Sequence, residues 1–427
     1  MSRYAKRFSL ATVGTAVTVG AGCGGPPPDG CEMTSSCPGQ VVVTSTIPTS
    51  GVRDATLDVH IHGSGFAIGA RAVWARGTDT TFATTKVKTN STTVITASEL
   101  VANITIQANA HLGEYTVMVV TGGQNATGTP PFTVNPSIET IDLGAGLGST
   151  ARGVNNGGQI VGDRGADPAT VQAFLWDNGT ITNLGVLPGM TFSYAYDINE
   201  TGVVVGVSGT GTLNNPISAR GFTWTLGGGM QPLSTLGGDS FARAINDNGD
   251  IVGSSTISGT SHAVVWRAGV ITDLQPVALA TNTGAAFAIN RLGEVVGHFY
   301  NAYSFRWTPA GGIVTLAGVG LPFGVNDSGC AAGWTAGGLF VAHRLCAGAL
   351  VEVGTCGGLE SRAWAMNNVG QVVGDATNAA PLWFAFLWTE GDGITCLSSA
   401  QESSANGVND HGWVVGSLGR ATLWKVK

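Results

Sequence analysis

The chain has 427 residues, a length that suggests two or three folded units rather than one core. Charged residues make up only 11% and the formal net charge is −7, so the sequence offers no basic face for nucleic acid. Glycine occurs 65 times while hydrophobic residues still make up 43%. This composition excludes a disordered chain and is typical of short strands joined by tight turns, so we expect an all-β protein.

The first 22 residues have the pattern of an export signal, in which a basic start precedes the uncharged stretch 8–22. This stretch is too short and too rich in glycine to span a bilayer. The small residues that end it, followed by Cys23, resemble a bacterial lipoprotein signal, although Gly20 replaces the usual aliphatic residue. The resemblance implies a lipidated Cys23 that anchors the protein to the surface or periplasmic face of the envelope. Plain secretion is the alternative, and residues 23–40 are predicted to be a flexible tether.

Residues 41–134 are predicted to form a small Ig-like β-sandwich. The stretch 57–62 alternates in polarity and would bury Leu57, Val59 and Ile61 on one face. The segment also contains three motifs: Ile47-Pro48-Thr49-Ser50-Gly51, Gly63-Ser64-Gly65-Phe66 and Gly113-Glu114-Tyr115-Thr116-Val117-Met118-Val119. Together they resemble the IPT/TIG family of Ig-like domains. The resemblance implies a spacer or binding module without catalytic activity.

A phrase of the form Asn-x-x-Gly-x-x-Val-Gly recurs through the rest of the chain. It begins at Asn155, Asn199, Asn246, Asn290, Asn326, Asn367 and Asn409, and only the fifth copy departs, ending in Ala332-Gly333. An apolar strand follows each phrase and ends in Trp in six copies, and one further strand follows it in every copy but the last. A period of about 42 residues with four short strands predicts one blade of a β-propeller. Within the phrase, we expect Asn to open a tight turn and Gly to supply a positive φ.

The two ends of the repeated region predict how it closes. The last copy stops after its third strand, at 422–424, whereas a phrase typical of a fourth strand, at 140–144, precedes the first copy. Moving that strand to the last copy completes seven blades and leaves no exposed edge. We therefore predict a seven-bladed propeller over residues 137–427 that is closed by its N-terminal strand.

The third copy resembles the HAF repeat family of extracellular bacterial proteins. The residues that carry the resemblance are Ala244-Ile245-Asn246, Gly249-Asp250-Ile251-Val252-Gly253 and His262-Ala263-Val264-Val265-Trp266. Family membership implies a repeat architecture and export, and it implies no known reaction. Most other copies lack the family's histidine, so we assign His262 no catalytic role.

If Cys23 carries lipid, six cysteines remain, and an even number in an exported chain predicts disulfides. Cys330 opens the second strand of the fifth repeat and Cys346 follows the third, so antiparallel pairing would bring both to the same end. We therefore predict Cys330–Cys346 and, by elimination, Cys356–Cys396 and Cys31–Cys37. No spacing typical of zinc ligands occurs, and we expect no metal and no cofactor.

Seven positions, three residues before each turn asparagine, carry mostly large side chains between small neighbours. They are Arg152, Tyr196, Arg243, Phe287, Phe323, Trp364 and Asn406. Aromatic and guanidinium groups on the innermost strand would form a ligand-binding ring, because such groups stack on sugars and anchor peptides. The alternative is that these side chains fill the space between blades.

Candidates for catalysis or metal binding are few. Asp250 and Glu294 share one strand position in adjacent repeats, and Asp197 stands alone, but we interpret all three as polar residues beside exposed turns. His60 and His62 lie two apart on one strand without an evident third ligand. No nucleophile elbow, zinc-protease, phosphate-loop or dinucleotide motif occurs.

The favoured hypothesis is a non-catalytic, envelope-anchored binding or adhesion protein. The Ig-like module would act as a spacer, and the propeller would recognise an extracellular polymer, either glycan or protein. One alternative is an extracellular carbohydrate-active enzyme that uses a propeller face, and another is a structural envelope protein. We expect a monomer that does not bind nucleic acid.

Overall fold

A computed structural model of the protein describes residues 40–76, 86–128, 130–336 and 338–427. Within these ranges the chain is all-β, with one short 3-10 turn at Val277–Leu279. Val41–Lys427 forms one compact unit. The predicted export signal, together with Cys23, Cys31 and Cys37, lies outside the described residues.

Residues 42–135 contribute two sheets that share one core. Their strands are β1 Val42–Ile47, β2 Ser50–Val52, β3 Ala55–Ser64, β4 Arg71–Arg76, β5 Val87–Thr96, β6 Glu99–Ile106, β7 Gly113–Thr121, β8 Gln124–Thr127 and β9 Phe132–Asn135. One sheet has the order β1-β3-β6-β5, and the other has β2-β9-β7-β4 with β8 also paired to β7. Val59 and Ile61 of β3 are fully buried, while Trp74 and Phe132 meet edge to face at 5.0 Å between ring centroids.

From Ile138 onward the chain forms seven four-stranded antiparallel sheets, which we number I to VII. Their strands are as follows, from the innermost to the outermost in each sheet. Sheet I has β11 Thr150–Val154, β12 Ile160–Arg164, β13 Gln172–Asp177 and β14 Thr180–Gly185; sheet II has β15 Phe192–Ile198, β16 Val204–Thr212, β17 Asn215–Thr225 and β18 Gly229–Pro232; sheet III has β19 Ser240–Ile245, β20 Ile251–Ile257, β21 Thr260–Arg267 and β22 Val270–Asp273; sheet IV has β23 Gly284–Ile289, β24 Val295–Phe299, β25 Tyr303–Thr308 and β26 Gly312–Thr315; sheet V has β27 Leu321–Val325, β28 Ala331–Ala336, β29 Phe340–Cys346 and β30 Ala349–Glu352; sheet VI has β31 Ser361–Met366, β32 Val372–Thr377, β33 Trp383–Thr389 and β34 Gly393–Cys396; sheet VII has β35 Ser404–Val408, β36 Trp413–Ser417, β37 Arg420–Val426 and β10 Ile138–Leu147.

Sheet VII joins the two ends of the repeated region. Strand β10 pairs antiparallel with β37, and Ile141 lies opposite Leu423. The main chains of Ser137 and Lys427 also exchange hydrogen bonds of 3.1 and 2.9 Å. The innermost strands contact one another in chain order, and β35 contacts β11. These contacts therefore form a closed cycle of seven sheets.

Aromatic and aliphatic side chains fill the space between consecutive sheets. Leu175 and Leu184 of sheet I pack in one cluster with Phe222 and Trp224 of sheet II. The tryptophan that ends the third strand is buried in four sheets, as Trp224, Trp266, Trp388 and Trp424. Close packing of these large rings accounts for the tryptophan that recurs in the sequence.

Two glycines recur in every repeat for two different reasons. The glycine three residues after each turn asparagine has a φ between 72° and 86°, which an L side chain adopts only with strain. The glycine of the Val-Gly pair lies on the second strand, directly opposite a residue of the innermost strand. A Cβ there would overlap a carbonyl oxygen of that strand at Gly162, Gly206, Gly253, Gly297, Gly333, Gly374 and Gly416. The fifth repeat replaces the valine but keeps this glycine, in agreement with the steric requirement.

Two disulfides correspond to two of the predicted pairs: Cys330–Cys346 within sheet V, and Cys356–Cys396, which ties the segment between sheets V and VI to the outermost strand of sheet VI. Disulfides persist in oxidising compartments, so they indicate an exported, non-cytoplasmic protein. Across the described ranges, no helix has the length and apolar composition needed to cross a membrane.

Candidate functional site

A β-bulge interrupts the innermost strand of every one of sheets I to VII at the same position. The bulged residues are Arg152, Tyr196, Arg243, Phe287, Phe323, Trp364 and Asn406. They are the seven residues of the predicted ring. A bulge takes a residue out of the strand ladder and re-aims its side chain. All seven line one cavity of about 370 Å³, which we call the ring cavity.

One side of the ring cavity is polar. The Arg152 guanidinium carbon lies 5.5 Å from the centroid of the Tyr196 ring, and that of Arg243 lies 6.0 Å from the same ring. Asn406 donates a hydrogen bond of 2.9 Å to the carbonyl of Ala151, which precedes Arg152. This side alternates cations with hydrogen-bonding groups, and we call Arg152, Tyr196 and Arg243 the polar arc.

The opposite side of the ring cavity is aromatic. The Phe287 and Phe323 rings lie 4.6 Å apart between centroids, and Phe323 meets Trp364 edge to face at 4.9 Å. Arg243 joins the two sides, since its guanidinium carbon lies 5.5 Å from the Phe287 centroid. We call Phe287, Phe323 and Trp364 the aromatic arc. These contacts between adjacent sheets mean that the ring residues pack laterally as well as facing the cavity.

Two buried carboxylates fix members of the ring, and the sequence-based interpretation did not single them out. The Arg152 Nε donates a hydrogen bond to Asp163, and the Trp364 Nε1 donates one of 2.9 Å to Asp375. Burial raises the pKa of both carboxyl groups above the ordinary value, although Arg152 and Arg362 respectively oppose the shift. Each aspartate stands eight residues after the turn asparagine of its repeat. Aligning the repeats on that asparagine would therefore have placed the two aspartates at one position.

Arg243 differs from the other arginines at this end of the sheets. Arg152 pairs with Asp163, and Arg362 pairs with Asp375 at 3.0 Å. In the described part of the chain, no carboxylate lies within 4.0 Å of the Arg243 guanidinium. Its Nε is buried without a hydrogen-bond partner, as is that of Arg362, but Arg362 binds Asp375 through Nη2, whereas no nitrogen of Arg243 makes a hydrogen bond or ion pair with any described residue. The guanidinium therefore brings a charge that no carboxylate compensates to the lining of the ring cavity.

Asp197 lies where the ring cavity adjoins a second cavity. Six residues border both cavities. Asp197 is the acidic one, and the other five are apolar: Val154, Ile289, Val325, Met366 and Val408. Its carboxylate accepts hydrogen bonds of 2.9 Å from the main-chain N–H groups of Ile198 and Ile245. Burial raises the pKa of Asp197 to about 7 in spite of these bonds. The sequence predicted a polar residue beside an exposed turn, and the structure corrects that interpretation.

The turn asparagines form a closed cycle of hydrogen bonds between sheets. Each side-chain amide donates to the main-chain carbonyl of the turn asparagine in the next sheet, at distances from 2.8 to 3.3 Å. Each side-chain oxygen accepts from the main chain four residues later in its own turn, at 2.9 or 3.0 Å. The sequence predicted only the local bond, so the inter-sheet role of these residues is new.

A second cycle runs beside the first and has one open link. The residue after each turn asparagine donates its main-chain N–H to the side-chain oxygen of its counterpart in the next sheet. Six links are present. Two lead from Asn156 to Glu200 and from Glu200 to Asp247, and four lead from Arg291 through Asp327, Asn368 and Asp410 back to Asn156. The link from Asp247 to Arg291 is absent, because an arginine side chain has no acceptor. These residues border the second cavity, of about 410 Å³.

The remaining candidate residues make hydrogen bonds and ion pairs within the protein. Asp250 accepts from Arg267 Nε at 3.1 Å, whereas Glu294 accepts from Asn290 at 2.9 Å, so the two carboxylates serve separate contacts. His262 is buried between Asp273 and the carbonyl of Ala280. His60 contacts Glu99 at 2.8 Å. Among the described residues, no group of three His, Cys, Asp or Glu side chains could hold a metal ion.

No protein-family profile matches the chain, and no curated protein matches it. Several solved structures show a weak likeness. A structural genomics protein of unknown function from Bacteroides thetaiotaomicron is 13% identical with a TM-score of 0.40, over 91% of this chain and 98% of that one. Virginiamycin B lyase from Staphylococcus aureus is 14% identical with a TM-score of 0.48, over 69% and 99%. An auxiliary nutrient binding protein from Bacteroides ovatus is 11% identical with a TM-score of 0.38, over 92% and 100%. These likenesses transfer no ligand and no activity.

Proposed function

We propose that this protein is an exported binding protein whose recognition head is a seven-bladed β-propeller of HAF repeats. Support comes from the seven four-stranded sheets, their cyclic contacts and the pairing of β10 with β37. The two sheets that precede the head share a core and carry the motifs that resemble IPT/TIG, and we propose that they form an Ig-like spacer.

The ring cavity is the proposed ligand site, and the unpaired guanidinium of Arg243 is the observation that carries this assignment. Residues that only fill space between sheets would be expected to have their charges and donors satisfied within the protein. Arg152 and Trp364 meet that expectation, whereas Arg243 does not. The volume also falls in the range of about 300–1,000 Å³ that is common for small-ligand sites.

Contacts between the proposed spacer and sheet VI would hold the head in one orientation. Arg53 pairs with Asp392 at 2.7 Å, and both side chains are only 14% exposed. Asp392 also accepts from the main chain of Leu112 at 3.2 Å. The contact with Arg53 and Leu112 holds the pKa of Asp392 below its ordinary value, although burial opposes the shift. With lipid on Cys23, such a spacer would present the ring cavity at a distance from the envelope surface.

The test is a binding screen of the purified protein against glycans, peptides and small anions, followed by variants of the ring. Trp364→Ala should weaken binding of a ligand that occupies the cavity by roughly 1–3 kcal/mol. The melting temperature of the same variant controls for lost packing. A lower melting temperature with unchanged affinity at a permissive temperature would remove the ring cavity from consideration, and formation of a product would favour an enzyme.

A further inference from the structure

The two sides of the ring cavity differ in chemistry, and this difference restricts the kind of ligand that the cavity can hold. The polar arc carries the unpaired charge of Arg243, while the aromatic arc presents Phe287, Phe323 and Trp364. We propose that the ring cavity binds an organic acid in which a carboxylate is attached to a ring with a flat apolar face. The carboxylate pairs with Arg243, and the ring lies against the aromatic arc. This inference rests on the proposed binding function and specifies its ligand.

Arg243 is prepared for a planar anion by its surroundings. Its guanidinium carbon lies 6.0 Å from the Tyr196 centroid and 5.5 Å from the Phe287 centroid, so aromatic rings flank it on two sides. This flanking restricts the side chain before a ligand arrives and reduces the entropy lost on binding. A carboxylate matches the forked donors of a guanidinium in a bidentate pair, and no carboxylate of the described residues already occupies those donors of Arg243.

The charges around the cavity favour an anion over a cation. Arg152 is compensated by Asp163, whereas Arg243 has no carboxylate partner among the described residues. Asp197 is the acidic residue in the cavity lining, and both of its oxygens already accept main-chain hydrogen bonds. Burial raises its pKa to about 7, so Asp197 is largely uncharged in mildly acidic solution and does not cancel the charge of Arg243.

The aromatic arc is held in place on the side opposite Arg152. The hydrogen bond from Trp364 Nε1 to Asp375 fixes the indole, and Phe323 stacks on Trp334 at 6.2 Å between centroids. Fixed aromatic rings bind flat apolar faces at a small entropic cost. Such a face occurs in an aromatic acid and also in a sugar acid, whose C–H bonds form one apolar side. Both sources share the carboxylate-plus-ring chemistry.

The experiment is titration calorimetry of the purified protein with two acids and their uncharged counterparts. The probes are 2-naphthoate with 2-naphthamide, and digalacturonate with its methyl ester. We expect at least one acid to bind about tenfold or more tightly than its uncharged counterpart, because the amide or ester cannot pair with a guanidinium. Preference for naphthoate identifies a free aromatic acid as the source, and preference for digalacturonate identifies an acidic glycan. This comparison needs no altered protein.

Arg243→Met then tests the assignment to the residue. The variant keeps an apolar side chain of similar length between Tyr196 and Phe287, and it should bind the acid about tenfold or more weakly while the uncharged probe is unaffected. Arg291→Met is the matched control, since Arg291 borders the second cavity and is not part of the lining of the ring cavity. Equal binding of acid and uncharged probe, or equal loss in both variants, would overturn the proposal.

The same measurements separate this inference from the function on which it rests. If neither acid binds but another ligand in the screen does, and Trp364→Ala weakens that binding, the binding function stands and the carboxylate assignment is wrong. If no ligand in the screen binds, the binding function itself fails.

Discussion

The side-chain amide of Asn409 donates a hydrogen bond of 3.0 Å to the main-chain carbonyl of Asn155, which lies 254 residues earlier in the chain. Both asparagines also hold their own turns through their side-chain oxygens. One residue type thus performs a local and a long-range task, and it does so while only 3 to 5% exposed in all seven sheets.

The inter-sheet bond can be removed without removing the turn bond. Asn246→Asp keeps the oxygen that organises the turn but loses the donor, and it places an acidic oxygen against the carbonyl of Asn290. We expect a loss of stability on the order of 2 kcal/mol in urea denaturation. Asn409→Asp, at the junction of sheets VII and I, should cost a similar amount. Asn215→Asp, at an exposed position, should change stability by less than about 0.5 kcal/mol.

The glycine beneath each bulge should be intolerant of substitution. In Gly253→Ala the added methyl group would overlap the carbonyl oxygen of Phe241, so the bulge or the strand must shift. We expect a cost of roughly 2–4 kcal/mol, measured by urea denaturation. Gly391→Ala is the control, because nothing lies within 4 Å of its added Cβ. Equal stability of the two variants would contradict the steric account.

Strand β10 should be essential to sheet VII. A chain that begins at residue 136 keeps β10. A chain that begins at residue 149 lacks β10 with its Ile141 and Leu143, and it leaves the edge of β37 and the apolar residues packed against them exposed. We expect the shorter chain to be less stable by roughly 3–6 kcal/mol, because it exposes two or more large apolar contacts and a strand edge. Equal melting temperatures for the two chains would show that β10 contributes nothing to closure.

Asp197 should make stability depend on pH. Its pKa is about 7 in the folded chain against an ordinary value of 3.8, so the folded state holds a proton that the unfolded state releases. Stability should therefore fall as pH rises from about 4 to about 7, by at most on the order of 4 kcal/mol. Asp197→Asn should be less stable at low pH but should lack this decline. Melting curves of both proteins at pH 5 and pH 8 measure the difference, and parallel declines would refute the assignment.

The sequence predicted the repeated strands and the seven ring residues because both follow from a fixed offset to a recurring phrase. It did not predict the bulges, since a bulge depends on how two strands pair and leaves no local composition signal. Nor did it predict that Asn246 bonds to the next sheet, because that contact depends on the angle between sheets. The contacts of Asp197 were missed for the same reason, since its carboxylate accepts a hydrogen bond from Ile245 of the next sheet.

The bulges have a consequence for protein engineering. A bulged residue is the one member of its strand without a ladder partner, and seven such residues surround the ring cavity. Their side chains can therefore be exchanged while the glycines, the turn asparagines and the main-chain ladders stay as they are. A combinatorial library at these seven positions would sample new binding specificities on an unchanged scaffold, with Asp163 and Asp375 as ready partners for any new donor at the first and sixth positions.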